Sequence, residues 1–191
     1  MASGLDVCII GHSYIRRLKE YCSSKGIINL KLDDSFNVNF HGKGGLRLQG
    51  NFFYFISPPD IMFLQVGEND ISDLTCCEKL NGDLISVAAY LRDGVGVKMV
   101  IIGQMIRRLP FAACKSFNDK VVKTKTQLEL RTQSLPGFHF WRHRGFWHEL
   151  SYLGSDGVHL CCTPSHDQPM RKFLRSIRNA VIQSLNLLRP V

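Results

Sequence analysis

The stretch Asp6-Val7-Cys8-Ile9-Ile10-Gly11-His12-Ser13-Tyr14-Ile15-Arg16-Arg17-Leu18 changes its period in mid-course. Residues 6–10 form a short run of mostly apolar side chains, which suits a strand buried on both faces. From Tyr14 onward the pattern is different: Ile15, Leu18 and Tyr21 share one side of a helix over 14–21. Only Gly11, His12 and Ser13 separate the two. A buried strand that turns so tightly into an amphipathic helix is the opening half of a strand–helix–strand crossover.

The same alternation continues along the chain. Residues 37–41, 60–66, 98–102 and 137–141 read as further strands, each apolar and bounded by turn residues. Helical spacing appears over 80–91 (Leu80, Leu84, Val87, Leu91) and over 117–130 (Val121, Val122, Leu128). It appears again over 170–188, where Phe173, Ile177, Val181, Leu185 and Leu188 recur three to four residues apart. Alternating strands and helices imply a parallel sheet with right-handed crossovers and helices on both faces. The expected architecture is therefore a three-layer α/β/α sandwich around a five-stranded parallel sheet. No Pro/Ser-rich linker or repeat divides the chain, so residues 1–191 are expected to form a single domain.

Composition fits this reading. Of 191 residues, 45% are hydrophobic and 21% charged, enough apolar material for a core and too much for wholesale disorder. The apolar runs, such as 60–66 and 100–102, are far too short to span a membrane. The first residues, MASGLDVCIIGHS, lack the basic region and small-residue cleavage site of a secretory signal. Seven cysteines, four of them in the adjacent pairs Cys76-Cys77 and Cys161-Cys162, contain no CxxC spacing for a zinc ribbon or a thioredoxin-type site. Reduced thiols and an intracellular, cytoplasmic location are expected. His139, His143 and His148 are too irregularly spaced to suggest a metal centre. Lys and Arg number 24 against 16 Asp and Glu, a formal charge of +8. Such a surface attracts nucleic acid or anionic membrane without choosing between them.

In an open parallel sheet the chemistry gathers at the carboxyl ends of the strands. The first such loop holds Ser13 at a helix start, where free N–H groups favour negative charge; a plain N-cap serine would look the same. The second, His41-Gly42-Lys43-Gly44-Gly45-Leu46, has glycines whose N–H groups can approach an oxyanion, or it is a flexible turn. The third, Gln65-Val66-Gly67-Glu68-Asn69-Asp70, offers the Asn69 amide as a donor and Asp70 as a holder of the loop. The last, Ser155-Asp156-Gly157-Val158-His159-Leu160, places a carboxylate and an imidazole three residues apart. Such a pair can orient a general base or form a surface turn.

The order of these pieces carries more than any one of them. The blocks IIGHSYIRRL, HGKGGL, LQVGENDIS and SDGVHL, running from Asp6 to the end of the chain, resemble the SGNH (GDSL-type) hydrolase superfamily. That resemblance implies a flavodoxin-like sheet and a serine ester hydrolase. It implies Ser13 as nucleophile with Asp156 and His159 completing a triad. Ser13, Gly45 and Asn69 would form the oxyanion hole, with Gly44 as the alternative to Gly45. Chemistry of this kind uses no metal and no organic cofactor. The substrate would be a small-molecule or lipid carboxylic ester, short-chain by the lack of a long lid insertion. A paired aspartate is expected to raise the His159 pKa above its ordinary value.

One position departs from the family. An aspartate usually precedes the serine, and His12 stands there. The stretch Phe140-Trp141-Arg142-His143-Arg144-Gly145-Phe146-Trp147, with DGVHL after it, also resembles the SGNH-like domains in open reading frames of animal retroelements and other transposons. A second reading is therefore a binding module of the same fold with little activity. It would contact nucleic acid or an anionic membrane through Arg16-Arg17-Lys19, Arg107-Arg108, Arg142-Arg144 and Arg171-Lys172-Arg175.

Overall fold

A computed structural model describes residues 4–49 and 57–188. The first strand, β1 (Leu5–Gly11), leads into α1 (Ser13–Ser24), and β2 follows at Phe36–Gly42. Then come β3 (Ile61–Gln65), α2 (Cys77–Ala89), β4 (Met99–Gly103), α3 (Phe117–Thr132), β5 (Phe138–Trp141) and α4 (Gln168–Leu188). The five strands form one sheet in the order β2-β1-β3-β4-β5, and every neighbouring pair is parallel. The chain starts in the sheet interior, crosses to one edge, and then returns past β1 to build toward the other. That reversal puts the ends of β1 and β3 side by side at the point where the crossovers diverge.

Strand alternation separates two cores. Val7, Ile9, Ile61, Phe63, Met99 and Ile101 point to the face covered by α1 and α4, where they meet Ile15, Leu18, Phe173, Ile177 and Val181. Cys8, Ile10, Met62, Leu64, Val100 and Ile102 point the other way, onto Leu80, Leu84, Val121 and Leu128 of α2 and α3. Successive side chains of a strand face opposite sides, so a strand covered on both must be apolar throughout. All five residues of β3 and of β4 are buried. β2, at the sheet edge, alternates instead, with Asn37, Asn39 and His41 exposed.

Helix faces follow the same geometry, with two departures from the sequence reading. Val122 was expected on the apolar face of α3 and is exposed, because Phe117, Val121, Thr124 and Leu128 already occupy the buried side. In α2 the buried line is Cys77, Leu80, Leu84 and Ala88, with Val87 only partly covered. A period of about 3.6 residues favours 88 over 87 once 84 is central. The helix begins three residues before the expected Leu80 and runs on as a wider π-type turn, Tyr90–Val95, that ends at left-handed Gly96. All seven cysteines are free thiols. Among the described residues no helix is long and apolar enough to cross a membrane.

Candidate active site

The nucleophile loop is built by two close approaches. A Cβ on Gly42 would lie 2.2 Å from the Arg16 nitrogen, and one on Gly11 would lie 2.5 Å from Ile15 Cγ1. The first turn of α1 therefore lies directly on the ends of β1 and β2, which no side chain at those positions would permit. His12 occupies the position before the helix and Ser13 is its first residue. No side chain caps α1. The Ser13 hydroxyl, free of any capping bond, instead sits 2.8 Å from His159 Nε2.

His159 reaches Ser13 from the loop before α4. Gly157, in the left-handed region at φ +66°, turns this loop, and its carbonyl accepts the Leu109 N–H at 2.9 Å. Asp156 Oδ1 accepts the backbone N–H groups of Val158 and His159 at 3.0 and 2.8 Å. Its other oxygen, Oδ2, lies 2.7 Å from His159 Nδ1. The carboxylate so fixed can only accept, so Nδ1 carries the proton and Nε2 presents its lone pair to Ser13. The Tyr14 hydroxyl donates to the Val158 carbonyl and ties α1 to the same loop.

Partial burial disfavours the Asp156 charge. The two N–H groups and the His159 ring more than offset it and bring the carboxyl down to about 2. For His159 the expected rise is not found. Burial lowers its pKa below the ordinary 6.5, and the Arg17 guanidinium, 3.8 Å from Asp156 Oδ2, pushes the same way; the bond to Asp156 opposes both without winning. The imidazole is thus held neutral at pH 7, the form able to take a proton.

Two further loops converge beside Ser13. The glycine loop is pinned to β1 by the Lys43 N–H, which donates to the Gly11 carbonyl at 3.0 Å. Gly45 adopts φ +70°, and a Cβ on it or on Gly44 would meet nothing within 4 Å. Both backbones are open to a ligand. The Asn69 loop turns at Gly67, φ +110°, where a Cβ would strike Met105 Cε at 2.4 Å. Asn69 Nδ2 donates to the Leu46 carbonyl at 3.0 Å, joining this loop to the glycine loop. Asp70 holds the same junction by accepting the Leu48 N–H at 3.2 Å. The fold thus gathers Ser13, Gly45, Asn69, Asp156 and His159, which span most of the chain, at one end of the sheet.

The sequence reading missed what lies beneath them. His12 and Glu68 are buried, with Nε2 2.8 Å from Oε2. Glu68 Oε1 also accepts from Gln65 Nε2 at 2.8 Å and from the Ile106 N–H at 3.2 Å. Burial works against its charge, but His12 and these donors keep the carboxyl well below the ordinary value. Gln65 Oε1 continues to His143 Nε2 at 2.9 Å, and His143 Nδ1 to Ser176 Oγ on α4, also at 2.9 Å. Burial takes the His143 pKa down to about 3, so the ring is neutral. No carboxylate precedes Ser13 in the chain, and Glu68 brings one beneath it from the loop after β3. A polar Gln65 closing an otherwise apolar strand was the available sequence signal.

Comparison with solved structures recognises this arrangement of strands and helices. A carbohydrate esterase of family 3 from Talaromyces cellulolyticus superimposes with a TM-score of 0.67 at 16% identity, covering 95% of this chain and 98% of that one. This is the fold of the GDSL-type hydrolases. A GDSL-like lipase from Bacteroides thetaiotaomicron matches at TM-score 0.64 and 12% identity, over 94% of this chain and 88% of its own. An acetylxylan esterase from Geobacillus stearothermophilus matches at 0.61 and 15%, over 93% and 94%. No family model and no curated protein matches the sequence.

Proposed function

We propose that the chain is a serine ester hydrolase acting on a short-chain, acetyl-type carboxylic ester. The observation that carries this is the unbroken hydrogen-bond chain Ser13 Oγ–His159 Nε2 (2.8 Å) and His159 Nδ1–Asp156 Oδ2 (2.7 Å). Ser13 Oγ attacks the ester carbonyl carbon as His159 Nε2 takes its proton. The carbonyl oxygen becomes an oxyanion, met by the N–H groups of Ser13 and Gly45 and by Asn69 Nδ2. The imidazolium, stabilised by Asp156, returns the proton to the departing alcohol and leaves an acyl-serine. Water, deprotonated by the same imidazole, then releases the acid and restores Ser13. Structural neighbours that include an acetylxylan esterase support a small acyl group.

Hydrolysis of p-nitrophenyl acetate tests the reading. Ser13→Ala removes turnover and labelling by a fluorophosphonate while leaving the folded protein intact, since the hydroxyl caps nothing. Turnover within a few-fold of the parent in this variant would refute Ser13 as nucleophile.

A second activity, binding of single-stranded nucleic acid, is favoured by one groove. Arg142 and Arg144 after β5 meet Lys172 and Arg175 of α4 along a groove of about 380 Å³, continued by Trp141, Asn179 and Gln183. Of these cations Arg142 is paired, with Glu129. In the other basic clusters the arginines have partners: Arg16 pairs with Glu20 and Arg17 with Asp156, Arg107 donates to the Trp147 carbonyl, and Arg108 turns toward Asn69. A concave track suits a flexible polyanion better than a flat bilayer. Placement in a retroelement protein rests on the FWRHRGFW stretch, of which Trp141, Arg142 and Arg144 line this groove. Binding of an oligonucleotide whose log affinity falls linearly with log salt, and is lost in Arg144→Glu/Arg175→Glu, is the expected result. No binding at low salt would remove this activity and leave the esterase standing.

A further inference from the structure

Beyond the five residues above, a further charged side chain reaches the site at Asn69. Arg108, in the loop after β4, donates from Nη2 to Asn69 Oδ1 at 3.1 Å. Its guanidinium carbon lies 4.5 Å from the centre of the buried Phe117 ring. Its backbone is clamped from α3: the Arg108 N–H donates to Asn118 Oδ1 at 3.0 Å, and Asn118 Nδ2 donates back to the Arg108 carbonyl at 2.8 Å. Stacking and a two-point backbone clamp leave the guanidinium little freedom.

The bond has a consequence for the oxyanion hole. An asparagine amide can sit in either of two orientations that differ by exchange of O and N. Arg108 offers only donors and the Leu46 carbonyl only an acceptor. Oδ1 must therefore face Arg108, and Nδ2 must face Leu46, as observed. Flipping the amide would set N–H against N–H and oxygen against oxygen. With one Nδ2 hydrogen on Leu46, the second has no protein acceptor among the described residues and is available to the site. A cation on Oδ1 also draws electron density from the amide and strengthens that N–H as a donor.

We infer that Arg108 is a positioning residue that sets the orientation of the Asn69 amide and sharpens it as an oxyanion donor. This rests on the proposed esterase reading for its effect on rate, but not for its effect on Asn69. Arg108→Met keeps the stem and removes the donors. It lowers kcat roughly ten- to a hundredfold with KM little changed, less than the loss of the amide itself. Arg108→Lys restores part of the rate, because an ammonium can donate one bond but cannot form the stacked planar fork. The pH profile of kcat/KM keeps its midpoint, since His159 is untouched.

The decisive measurement is a double-mutant cycle. Arg108→Met on an Asn69→Ala background costs little further rate, because the group it positions is gone. Multiplicative losses, or a rise in KM alone, would overturn the inference and make Arg108 a substrate-binding group. The side-chain amide resonances of Asn69, assigned with Asn69→Ala, give a readout that needs no turnover. They shift in Arg108→Met and stay in place in Arg107→Met. Unmoved resonances in Arg108→Met would overturn the inference whether or not the parent hydrolyses esters, whereas shifted resonances in an inert parent would refute only the esterase reading.

Discussion

Removing His12 tests the buried pair beneath the site more sharply than any change in the triad. His12 is 1% exposed and Glu68 fully buried, so in His12→Ala the Glu68 carboxylate loses its His12 partner and keeps neutral donors such as Gln65 Nε2 and the Ile106 N–H. The intact pair adds little net stability, because desolvating both groups consumes most of their attraction. Breaking it by removing one partner costs about 3–5 kcal/mol. For a chain of this size, about 2–4 °C of Tm per kcal/mol gives a fall of roughly 6–20 °C. The cost depends on pH with a definite sign. Glu68 has a folded pKa below its ordinary 4.5, so in the parent its stabilisation is complete above that value and fades as pH falls. In His12→Ala the isolated carboxyl protonates more readily, so the gap between parent and variant narrows toward acid. The assay is thermal unfolding by circular dichroism from pH 4 to 8 for the parent, His12→Ala, Glu68→Gln and the double variant. The double variant is more stable than His12→Ala, since no buried charge remains. A His12→Ala Tm close to that of the parent, or a double variant at the sum of the single losses, would refute the pair as a coupled unit.

The rate of acylation follows the neutral fraction of His159, whose pKa is lowered from the ordinary 6.5, so kcat/KM rises with pH through a midpoint on the acid side of that value. A midpoint above 7 in the pH–rate profile contradicts the burial and the Arg17 contribution. Asn69→Ala lowers kcat by roughly 10²–10³-fold with KM little altered, since the oxygen gains charge only in the transition state. An effect confined to KM assigns Asn69 to substrate binding. Gly42→Ala lowers stability by roughly 1–3 kcal/mol or more, because its Cβ would meet Arg16 backbone atoms at 2.2 and 2.4 Å. Gly44→Ala, with open space around it, leaves the unfolding midpoint nearly unchanged, and equal losses in the two would refute the close approach of α1.

The elements were legible because each is a local pattern. Buried strands such as Ile61–Gln65 and Met99–Gly103 must be apolar on both faces, and that run is visible residue by residue. The four loop motifs were ambiguous one by one, since a glycine or a short polar residue at a strand end also suits a plain cap or turn, and only their order along the chain set them apart. Helix boundaries were less legible. Cys77 and the widened turn at Tyr90–Val95 extend α2 beyond the residues whose spacing announces it. Val122 was misassigned because neighbouring valines look alike in sequence while only one can face the sheet.

Sequence by itself determined the alternation of strands and helices and the strand-end position of Ser13, and it put Asp156 and His159 within reach of each other, three residues apart, without deciding that they bond. It could not determine contacts between residues far apart in the chain. Only the tertiary structure decided that His12 meets Glu68, that His143 meets Gln65, and that Arg108 faces Asn69. It also reversed the direction of the His159 shift, because burial and the field of Arg17 come from packing rather than from the neighbouring aspartate. A charge reads as a surface charge until the fold surrounds it with partners, and those partners arrive from distant parts of the chain.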